Sequence, residues 1–195
     1  MNGKVNAREK IMEAAVTAFA DRGYHHTAMD DIVRRTAISK GGLYFHFASK
    51  ESLFFAVLDR LADRLVSRIK RNVAQQEGAV AKLDMALTTV LESLGKRRRL
   101  AKLMLVQGYS MGNPFEKKRM DIYAQFSSLI KDNLDQALEE GSIAHIYTNV
   151  AASIWLGAIN EILIQWLYTG EPEPIREALP ALRTILLAGI GVKVY

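Results

Sequence analysis

The chain has 195 residues, no cysteine and a hydrophobic fraction of 49%, which favours one or two packed domains over disorder and excludes disulfides and thiolate metal sites. The formal net charge is +5 at pH 7, and all of it lies in residues 1–75, where there are 13 Lys+Arg and 8 Asp+Glu, since residues 76–195 hold 13 of each. A basic end on a neutral body suits a polyanionic partner, although a merely solvated basic face has the same composition.

Four helices are predicted in this basic part, over residues 6–21, 28–35, 39–45 and 49–75. In the first, apolar residues at positions 11, 14, 15, 18 and 19 have the spacing of one helix face, and Gly23 ends it. Thr27 stands three residues before Asp30, which matches a capping box with Asp in place of Glu or Gln and predicts the start of the second helix. Ser39 is the expected cap of the third helix, and Ser49 opens the long fourth.

The neutral part predicts further helices, over residues 79–94, 97–108, 114–140, 146–169 and 174–190. Asn113 followed by Pro114 is a start signal, with asparagine as cap and proline in the first turn, and Gly141 is a stop signal. Because alternating β-branched runs are missing from the sequence, the expected fold class is all-α with about nine helices. We divide it into an N-terminal three-helix domain, residues 1–50, and a C-terminal helical ligand-binding and dimerisation domain, residues 51–195.

The second and third predicted helices are joined by the short turn Thr36-Ala37-Ile38, an arrangement typical of a helix-turn-helix. Such a unit lays its second helix in the major groove of DNA. That helix carries Gly41-Gly42, which costs roughly 1 kcal/mol per glycine against alanine and lets the backbone approach another surface closely. Around it, Lys40, Tyr44 and His46 can bond base edges or phosphates.

Five stretches of this part, residues 11–15, 19–24, 29–33, 38–47 and 49–53, follow a known pattern, and the spacing Leu-Tyr-x-His-Phe-x-x-Lys-Glu at residues 43–51 is specific to it. Residues 8–53 resemble the DNA-binding domain of the tetracycline-repressor (TetR) family. The resemblance implies a DNA site with no catalytic residue, metal or cofactor, while Leu43 and Phe47 pack inward. The implied DNA contacts are Thr27, His46 and Lys50 on phosphates, and Lys40, Gly41, Gly42, Tyr44 and Phe45 at bases or nearby sugar-phosphate.

Three positions depart from the family pattern. Ala28 stands where a second threonine is common, which removes one hydroxyl contact to phosphate. Ala37 replaces the usual turn glycine, at a strain of order 1 kcal/mol if this position has positive φ. Gly42 replaces a larger residue, so one base or backbone contact is expected to be absent.

The resemblance also implies a homodimer that pairs through its last two helices as a four-helix bundle and recognises a palindromic operator in double-stranded DNA. Residues 150–168 and 179–190 are apolar beyond a single stripe. A helix that packs against two partners needs this pattern, although burial within one chain would produce it too.

A pocket for a small hydrophobic effector is implied in the second domain. The proposed lining residues on the middle helices, with Glu161 or Asn160 as polar anchors, are Leu103, Met104, Gln107, Met111, Phe115, Tyr123, Phe126 and Trp155. Methionines and aromatics at such spacings are also common in plain cores. Residues 157–166 are similar to members that respond to fatty acyl-CoA, and the run Lys96-Arg97-Arg98-Arg99 would then meet a CoA phosphate, unless it is a solvated helix start.

These features predict a sequence-specific DNA-binding transcriptional regulator, by family default a repressor. A small hydrophobic ligand, a fatty acyl-CoA or another apolar or aromatic compound, would release it from its operator. Two alternatives keep the fold: a DNA-binding architectural or nucleoid-associated protein without small-molecule induction, and a regulator that senses a protein partner.

An enzyme is not expected, because the sequence has no Gly-rich phosphate loop, no HExxH motif and no cysteine nucleophile. His145 and Glu161 are the acid–base candidates of the later helices, and nothing links them. The polar N-terminus lacks the apolar segment of a signal peptide. The most apolar stretch, residues 154–168, is shorter than the roughly 20 residues that a membrane span needs, so we expect a cytoplasmic protein with no membrane partner.

Overall fold

The structure, a computed structural model, describes residues 7–107 and 112–192 and contains, in these residues, nine α-helices and no strand. The prediction of an all-α fold is confirmed. The helices are α1 (Ala7–Arg22), α2 (Met29–Arg34), α3 (Lys40–His46), α4 (Lys50–Val73), α5 (Ala79–Gly95), α6 (Arg98–Leu105), α7 (Asn113–Glu139), α8 (Thr148–Thr169) and α9 (Leu179–Gly189).

The last predicted helix, residues 174–190, begins differently from the prediction. A π-helical turn, Pro174–Ala178, precedes α9 directly. The Glu173 carboxylate accepts hydrogen bonds from the N–H groups of Ile175 and Arg176, at 2.9 and 2.6 Å, and fixes the start of the turn. Pro180, in the first turn of α9, has no N–H to donate to a carbonyl four residues back, so a continuous α-helical ladder cannot pass through this point.

The first of two hydrophobic cores joins α1, α2 and α3 to the first half of α4; we call these elements, residues 7–61, the head. Phe19 and Phe54 are fully buried there and meet edge to face with their ring centroids 5.1 Å apart. The apolar face predicted for α1 is buried as expected, with Ile11 and Ala15 inaccessible to solvent. Residues of α6 and α7, Leu103 and Phe115, complete this core from the other side.

The second core joins the remaining half of α4 to α5–α9; we call these elements, residues 62–192, the body. Because Leu65 and Ile69 of α4 pack here while Phe54 packs in the head, α4 belongs to both cores. Among the described residues α8 is the one helix whose length and composition would allow it to cross a membrane. Core helices often meet the same criteria, and Trp155 and Leu163 of α8 are buried in the body.

Candidate DNA interface and ligand cavity

Helix α3 is short, and its two ends are fixed by local interactions. The Ser39 hydroxyl accepts a hydrogen bond from the Gly42 N–H at 3.1 Å, which confirms Ser39 as the cap. Leu43 is fully buried in the head and anchors the inner side of the helix. Its N–H bonds the Ser39 carbonyl, and the N–H of Phe47 bonds the Leu43 carbonyl, both at 3.0 Å. The outer side of α3 is therefore directed toward solvent.

That outer side presents a cation and two aromatic rings. Lys40 is 62% exposed, Tyr44 43% and Phe45 86%. At Gly41 an added Cβ would meet no atom within 4 Å, so the backbone itself forms part of the open surface. His46 is half-buried, with its ring centroid 5.3 Å from that of Phe45. Two neighbouring exposed aromatic rings beside a cation form a surface patch that is suited to contact with another molecule.

Lys40 forms an ion pair with Asp30 of α2, with its Nζ 2.9 Å from the carboxylate. The hydrogen bond with Asp30 raises the pKa of Lys40 above its usual value. The ammonium of Lys40 is therefore charged at neutral pH and, without DNA, is aligned by a side chain of the neighbouring helix.

Gly42 and Ala37 have structural roles in the turn between α2 and α3. A Cβ at Gly42 would lie 3.0 Å from Cγ2 of Ile38 and 3.3 Å from Oγ of Ser39, so Gly42 faces the turn, and a side chain there would require these neighbours to shift. Among the described residues no non-glycine residue has a positive φ. The turn therefore differs from one that requires glycine, and Ala37 fits it without strain.

The structure corrects the prediction that Thr27 contacts DNA, because it buries this side chain in the head. The side chain is 1% exposed, and its hydroxyl lies within hydrogen-bonding distance of two carbonyls, Gly23 O at 2.7 Å and Ala18 O at 3.2 Å. The hydroxyl thus fastens the loop after α1 and has no free donor for a phosphate. The predicted Thr27–Asp30 capping box is wrong as well, because the N-cap of α2 is Ala28 and the Asp31 carboxylate accepts its N–H at 2.9 Å.

Lys50, in the first turn of α4, is half-buried and bound to Tyr24. Its ammonium donates to the Tyr24 carbonyl at 3.0 Å and lies 4.3 Å from the centroid of the Tyr24 ring. The Tyr24 ring in turn packs 4.8 Å from Phe54 in the head core. Lys50 therefore joins the start of α4 to the loop between α1 and α2, on the side of the head where α3 ends.

The body contains an apolar cavity of about 320 Å³ between α4, α5, α6, α7 and α8. Seven residues expected at a ligand site, including both polar anchors, line it: Met104, Phe115, Tyr123, Phe126, Trp155, Asn160 and Glu161. The lining that the sequence did not indicate is largely aliphatic: Leu58, Leu65, Ile69, Leu83, Ala86, Leu87, Val90, Leu94, Leu105, Arg119, Ile122, Leu129, Ile130, Leu156, Gly157, Ile159 and Ile164. This size is within the range of small-molecule sites.

Two predicted ligand residues lie elsewhere. Leu103 is buried in the head core, since it lies on the side of α6 that faces α1 and α4. Gln107, just after α6, points at the loop between α1 and α2, where a Cβ at Gly23 would lie 3.6 Å from its amide nitrogen. Neither residue lines the cavity, so both predictions are wrong. Met111 lies outside the described residues.

The basic run at residues 96–99 makes structural contacts and does not border the cavity. Arg98 donates to the Leu167 carbonyl at 2.8 Å and stacks its guanidinium over Trp166, 5.1 Å from the ring centroid. Arg99 pairs with Asp21 of α1 at 2.7 Å. The run therefore joins α6 to α8 and to the head, and the expectation that it meets a CoA phosphate at this cavity is not supported.

A known protein family matches the segment that forms the head. The family model for bacterial regulatory proteins of the tetR family matches residues 11–57. The head of this chain therefore belongs to the TetR family. The matched segment extends from the buried face of α1 to Val57 of α4, which is the head described above.

Individual TetR-family relatives resemble either the head or the whole chain. The HTH-type transcriptional activator FasR of Mycolicibacterium smegmatis is 47% identical over 64 residues, which cover 33% of this chain and 29% of FasR. The fatty acid metabolism regulator protein of Bacillus subtilis is 19% identical over 185 residues, 94% of this chain and 95% of that protein. With its TetR-family head, the chain is thus a transcriptional regulator and not an enzyme.

A solved structure matches head and body together. The transcriptional regulator FadR from Bacillus subtilis, crystallised in complex with stearoyl-CoA, superimposes with a TM-score of 0.84 at 18% sequence identity. The match covers 93% of this chain and 98% of FadR. The two proteins therefore share a fold from α1 to α9.

Proposed function

We propose that this regulator is a homodimeric repressor that binds a palindromic operator through α3 and leaves it when an apolar ligand occupies the body cavity. The proposal of DNA binding rests on one observation: the outer side of α3 presents Lys40, Tyr44 and Phe45. Leu43 packs the inner side of the same helix into the head core. A helix presented in this way fits the major groove.

Each exposed group of this interface has a role that its chemistry suits. The Lys40 ammonium bonds a guanine edge or a phosphate. The Tyr44 hydroxyl and the His46 ring donate to phosphates, and the Phe45 ring packs on sugar or on a thymine methyl. Gly41 lets the backbone approach the groove, because no side chain stands between it and DNA.

A second copy of the chain is proposed to pack on α8 and α9. Ile154 of α8 is 59% exposed and Ile185 of α9 is 67% exposed, and Val150 and Tyr168 lie on the same side of α8 as Ile154. Apolar side chains in a stripe along two neighbouring helices cost solvation free energy unless another surface covers them. A symmetric pair places its two α3 helices against the two halves of a palindrome.

The ligand is proposed to be a fatty acyl-CoA or another apolar compound with a polar end. The cavity supports an apolar chain, since leucine, isoleucine and aromatic side chains form most of its wall. FadR, which shares the fold, was crystallised with stearoyl-CoA. The cavity also favours small-molecule control over an architectural role, because a DNA-coating protein has no need of one.

The test is selection of bound duplexes from a random DNA pool, followed by addition of palmitoyl-CoA to the recovered complex. The proposal predicts one palindromic sequence with half-sites a whole number of helical turns apart and release of the protein at micromolar palmitoyl-CoA. Recovery of DNA without a shared sequence would instead support the architectural alternative. A shared sequence from which neither an acyl-CoA nor another apolar compound releases the protein would contradict the ligand half.

A further inference from the structure

Two neighbouring aspartates in the first turn of α2 have different surroundings. The Asp31 side chain is 13% exposed, and its carboxylate accepts the Ala28 N–H at 2.9 Å and pairs with Arg34. The Asp30 side chain is 54% exposed, and its carboxylate pairs with Lys40 of α3. Asp31 therefore stabilises the start of α2, whereas Asp30 lies on the surface that we propose to contact DNA.

A carboxylate at that surface is unfavourable for DNA binding in general, because it repels the phosphates of any duplex. Two groups on base edges in the major groove offset this repulsion by donating a hydrogen bond to the carboxylate: the N4 amino group of cytosine and the N6 amino group of adenine. Guanine and thymine present acceptors there. A favourable role for Asp30 in the complex is therefore contact with a cytosine or an adenine.

Asp30 and Lys40 together present an acceptor and a donor side by side. The Lys40 Nζ lies 2.9 Å from Oδ1 of Asp30 and 3.2 Å from Oδ2. An ammonium carries three donors, so others remain beside the one that Asp30 accepts. The carboxylate likewise has lone pairs beyond those that Lys40 uses. The pair can thus bind a donor and two acceptors that lie next to each other on another molecule.

The edge of a G·C base pair has this arrangement in the major groove. Guanine presents two acceptors, N7 and O6, and cytosine presents the N4 amino donor. O6 and N4 are themselves joined by a Watson–Crick hydrogen bond, which at about 2.9 Å equals the separation of Nζ and Oδ1 in the Lys40–Asp30 pair. The donor and acceptor of the protein therefore match the acceptor and donor of this base pair in kind and in spacing.

We infer that Lys40 and Asp30 read one G·C pair of each half-site as a unit, with guanine facing Lys40 and cytosine facing Asp30. The inference rests on the DNA binding proposed above and names a base pair that this surface recognises. The Lys40 ammonium donates to O6 and N7 of guanine, and the outward N4–H of cytosine donates to the Asp30 carboxylate. The ion pair between the two side chains is kept in the complex.

The other base pairs fit this pair of side chains less well. In C·G and A·T, with the first base facing Lys40, an amino group meets the ammonium and an acceptor meets the Asp30 carboxylate. T·A offers O4 to Lys40 and N6 to Asp30, but thymine has one acceptor where guanine has two, and its methyl group lies beside the ammonium. Asp30 thus disfavours three of the four base pairs more than the fourth, which makes it a specificity-determining residue.

The turn between the two helices aligns the pair before DNA binds. The Thr36 hydroxyl donates to the Val33 carbonyl at 3.1 Å and accepts the Ile38 N–H at 3.4 Å. Asp30 and Lys40 are ten residues apart in the sequence, and they meet because this turn places α2 against α3. Two side chains that are already aligned in the free protein lose less conformational freedom on binding.

The experiment measures base-pair preference, the ratio of the affinity for the recovered operator to the affinity for a duplex changed at one base pair. Each G·C pair of a half-site is changed in turn to A·T, T·A and C·G, in both half-sites at once, and affinity is measured by fluorescence anisotropy. The variants are Asp30→Ala, Asp30→Asn and Lys40→Ala, with Asp63→Ala on α4 as the control for the loss of a negative charge away from α3. Because a change in net charge shifts the affinity for every duplex alike, it cancels in the ratio.

We expect wild type to prefer one G·C pair by at least about tenfold. D30A and K40A should both lose this preference at that same pair and match wild type at the other positions, and D63A should match wild type throughout. D30N should retain more of the preference than D30A, since its amide oxygen still accepts the cytosine N4–H.

Wild-type preferences in D30A, or losses in D30A and K40A at different base pairs, overturn the inference and leave the proposed operator binding standing. An operator whose half-site contains no G·C pair does the same. Recovery of no shared sequence overturns the proposed function together with the inference.

A second measurement needs no variant. N4-methylcytosine replaces each cytosine of the half-site in turn; it still pairs with guanine through its remaining N–H, while the methyl group takes the place of the outward donor. Wild-type affinity should fall about tenfold at one cytosine and less at the others. Affinity that is unchanged by the methyl group at every cytosine overturns the inference, and this holds even if a variant fails to fold.

Discussion

The Lys50 ammonium donates to the Tyr24 carbonyl at 3.0 Å and lies 4.3 Å from the centroid of the Tyr24 ring, which joins the first turn of α4 to the loop after α1. One ammonium carries three donors, so this contact leaves capacity for a phosphate. Lys50 can therefore hold the head together and bind DNA at the same time.

Lys50→Met keeps the aliphatic stem and removes the charge. We expect operator affinity to fall about tenfold and the slope of log affinity against log salt to become smaller by about 1, because one phosphate contact is lost. Tyr24→Leu is the control: it removes the ring and keeps the backbone carbonyl. Equal salt slopes for wild type and K50M, measured by fluorescence anisotropy, would mean that Lys50 acts only within the head.

Asp30 is expected to weaken DNA binding in the wild-type protein. Its carboxylate is paired with Lys40 and lies beside the surface where DNA approaches, so Asp30→Asn frees the ammonium and removes a charge that repels phosphates. Operator affinity should rise severalfold at unchanged melting temperature. Asp63→Asn on the outer side of α4 gives the same change in net charge away from α3. Equal gains in D30N and D63N would trace the effect to net charge alone.

Asp31 makes the stability of the head depend on pH. The hydrogen bond from the Ala28 N–H, followed by the charges of Arg34 and Arg22, lowers the pKa of Asp31 below its usual value. The unfolded chain therefore binds a proton more readily than the folded chain, and the free energy of unfolding rises with pH in this range. The contribution is complete above the usual aspartate pKa near 3.8 and is lost as pH falls through the lower folded value.

Asp31→Asn should flatten this dependence. Denaturant unfolding between pH 5 and pH 3, which are about one pH unit on either side of the usual aspartate pKa, measures it. Wild type should lose more stability than D31N over this interval, with Asp63→Asn as the control for a carboxylate without such partners. Parallel curves for wild type and D31N would show that the Ala28 hydrogen bond does not favour the carboxylate.

Filling the cavity should separate DNA binding from ligand response. Leu87→Phe adds volume at a residue that lines the cavity, so we expect an unchanged or higher melting temperature, normal operator affinity and no release by palmitoyl-CoA. Leu91→Phe, one turn further at a fully buried position outside the lining, should instead cost about 1–3 kcal/mol through overpacking. Normal release of L87F by palmitoyl-CoA would place the ligand elsewhere.

Features of the fold that depend on neighbouring residues could be predicted from the sequence. The Ser39 cap and the burial of Leu43 follow from residue types within one turn of α3, and both are confirmed. The role of Thr27, by contrast, could not be predicted from neighbouring residues. A threonine before a short helix is typical of a cap, but the carbonyls of Ala18 and Gly23 are brought to its hydroxyl by the end of α1, which local sequence does not describe.

The cavity was predicted in part because its polar and aromatic residues differ from ordinary core. A tryptophan and a glutamate on the same apolar helix differ from an ordinary core, and Trp155 and Glu161 were correctly predicted to line the cavity. Leu83 and Leu87 were not, since a leucine facing a cavity and a leucine facing a packed core have the same helical spacing. Leu103 and Met104 are neighbours on α6, yet one faces the head core and the other the cavity; only the crossing of α6 over α1 decides between them.

The central claim is that the outer side of α3 binds the operator, and the affinity of the Lys40→Ala/Tyr44→Ala variant for the selected duplex tests it most directly. Two contacts of about 1–3 kcal/mol each predict a loss of at least about thirtyfold, with the helix content, melting temperature and oligomeric state of wild type, because both side chains are substantially exposed. Wild-type affinity in a variant that is folded and paired like wild type would contradict the account.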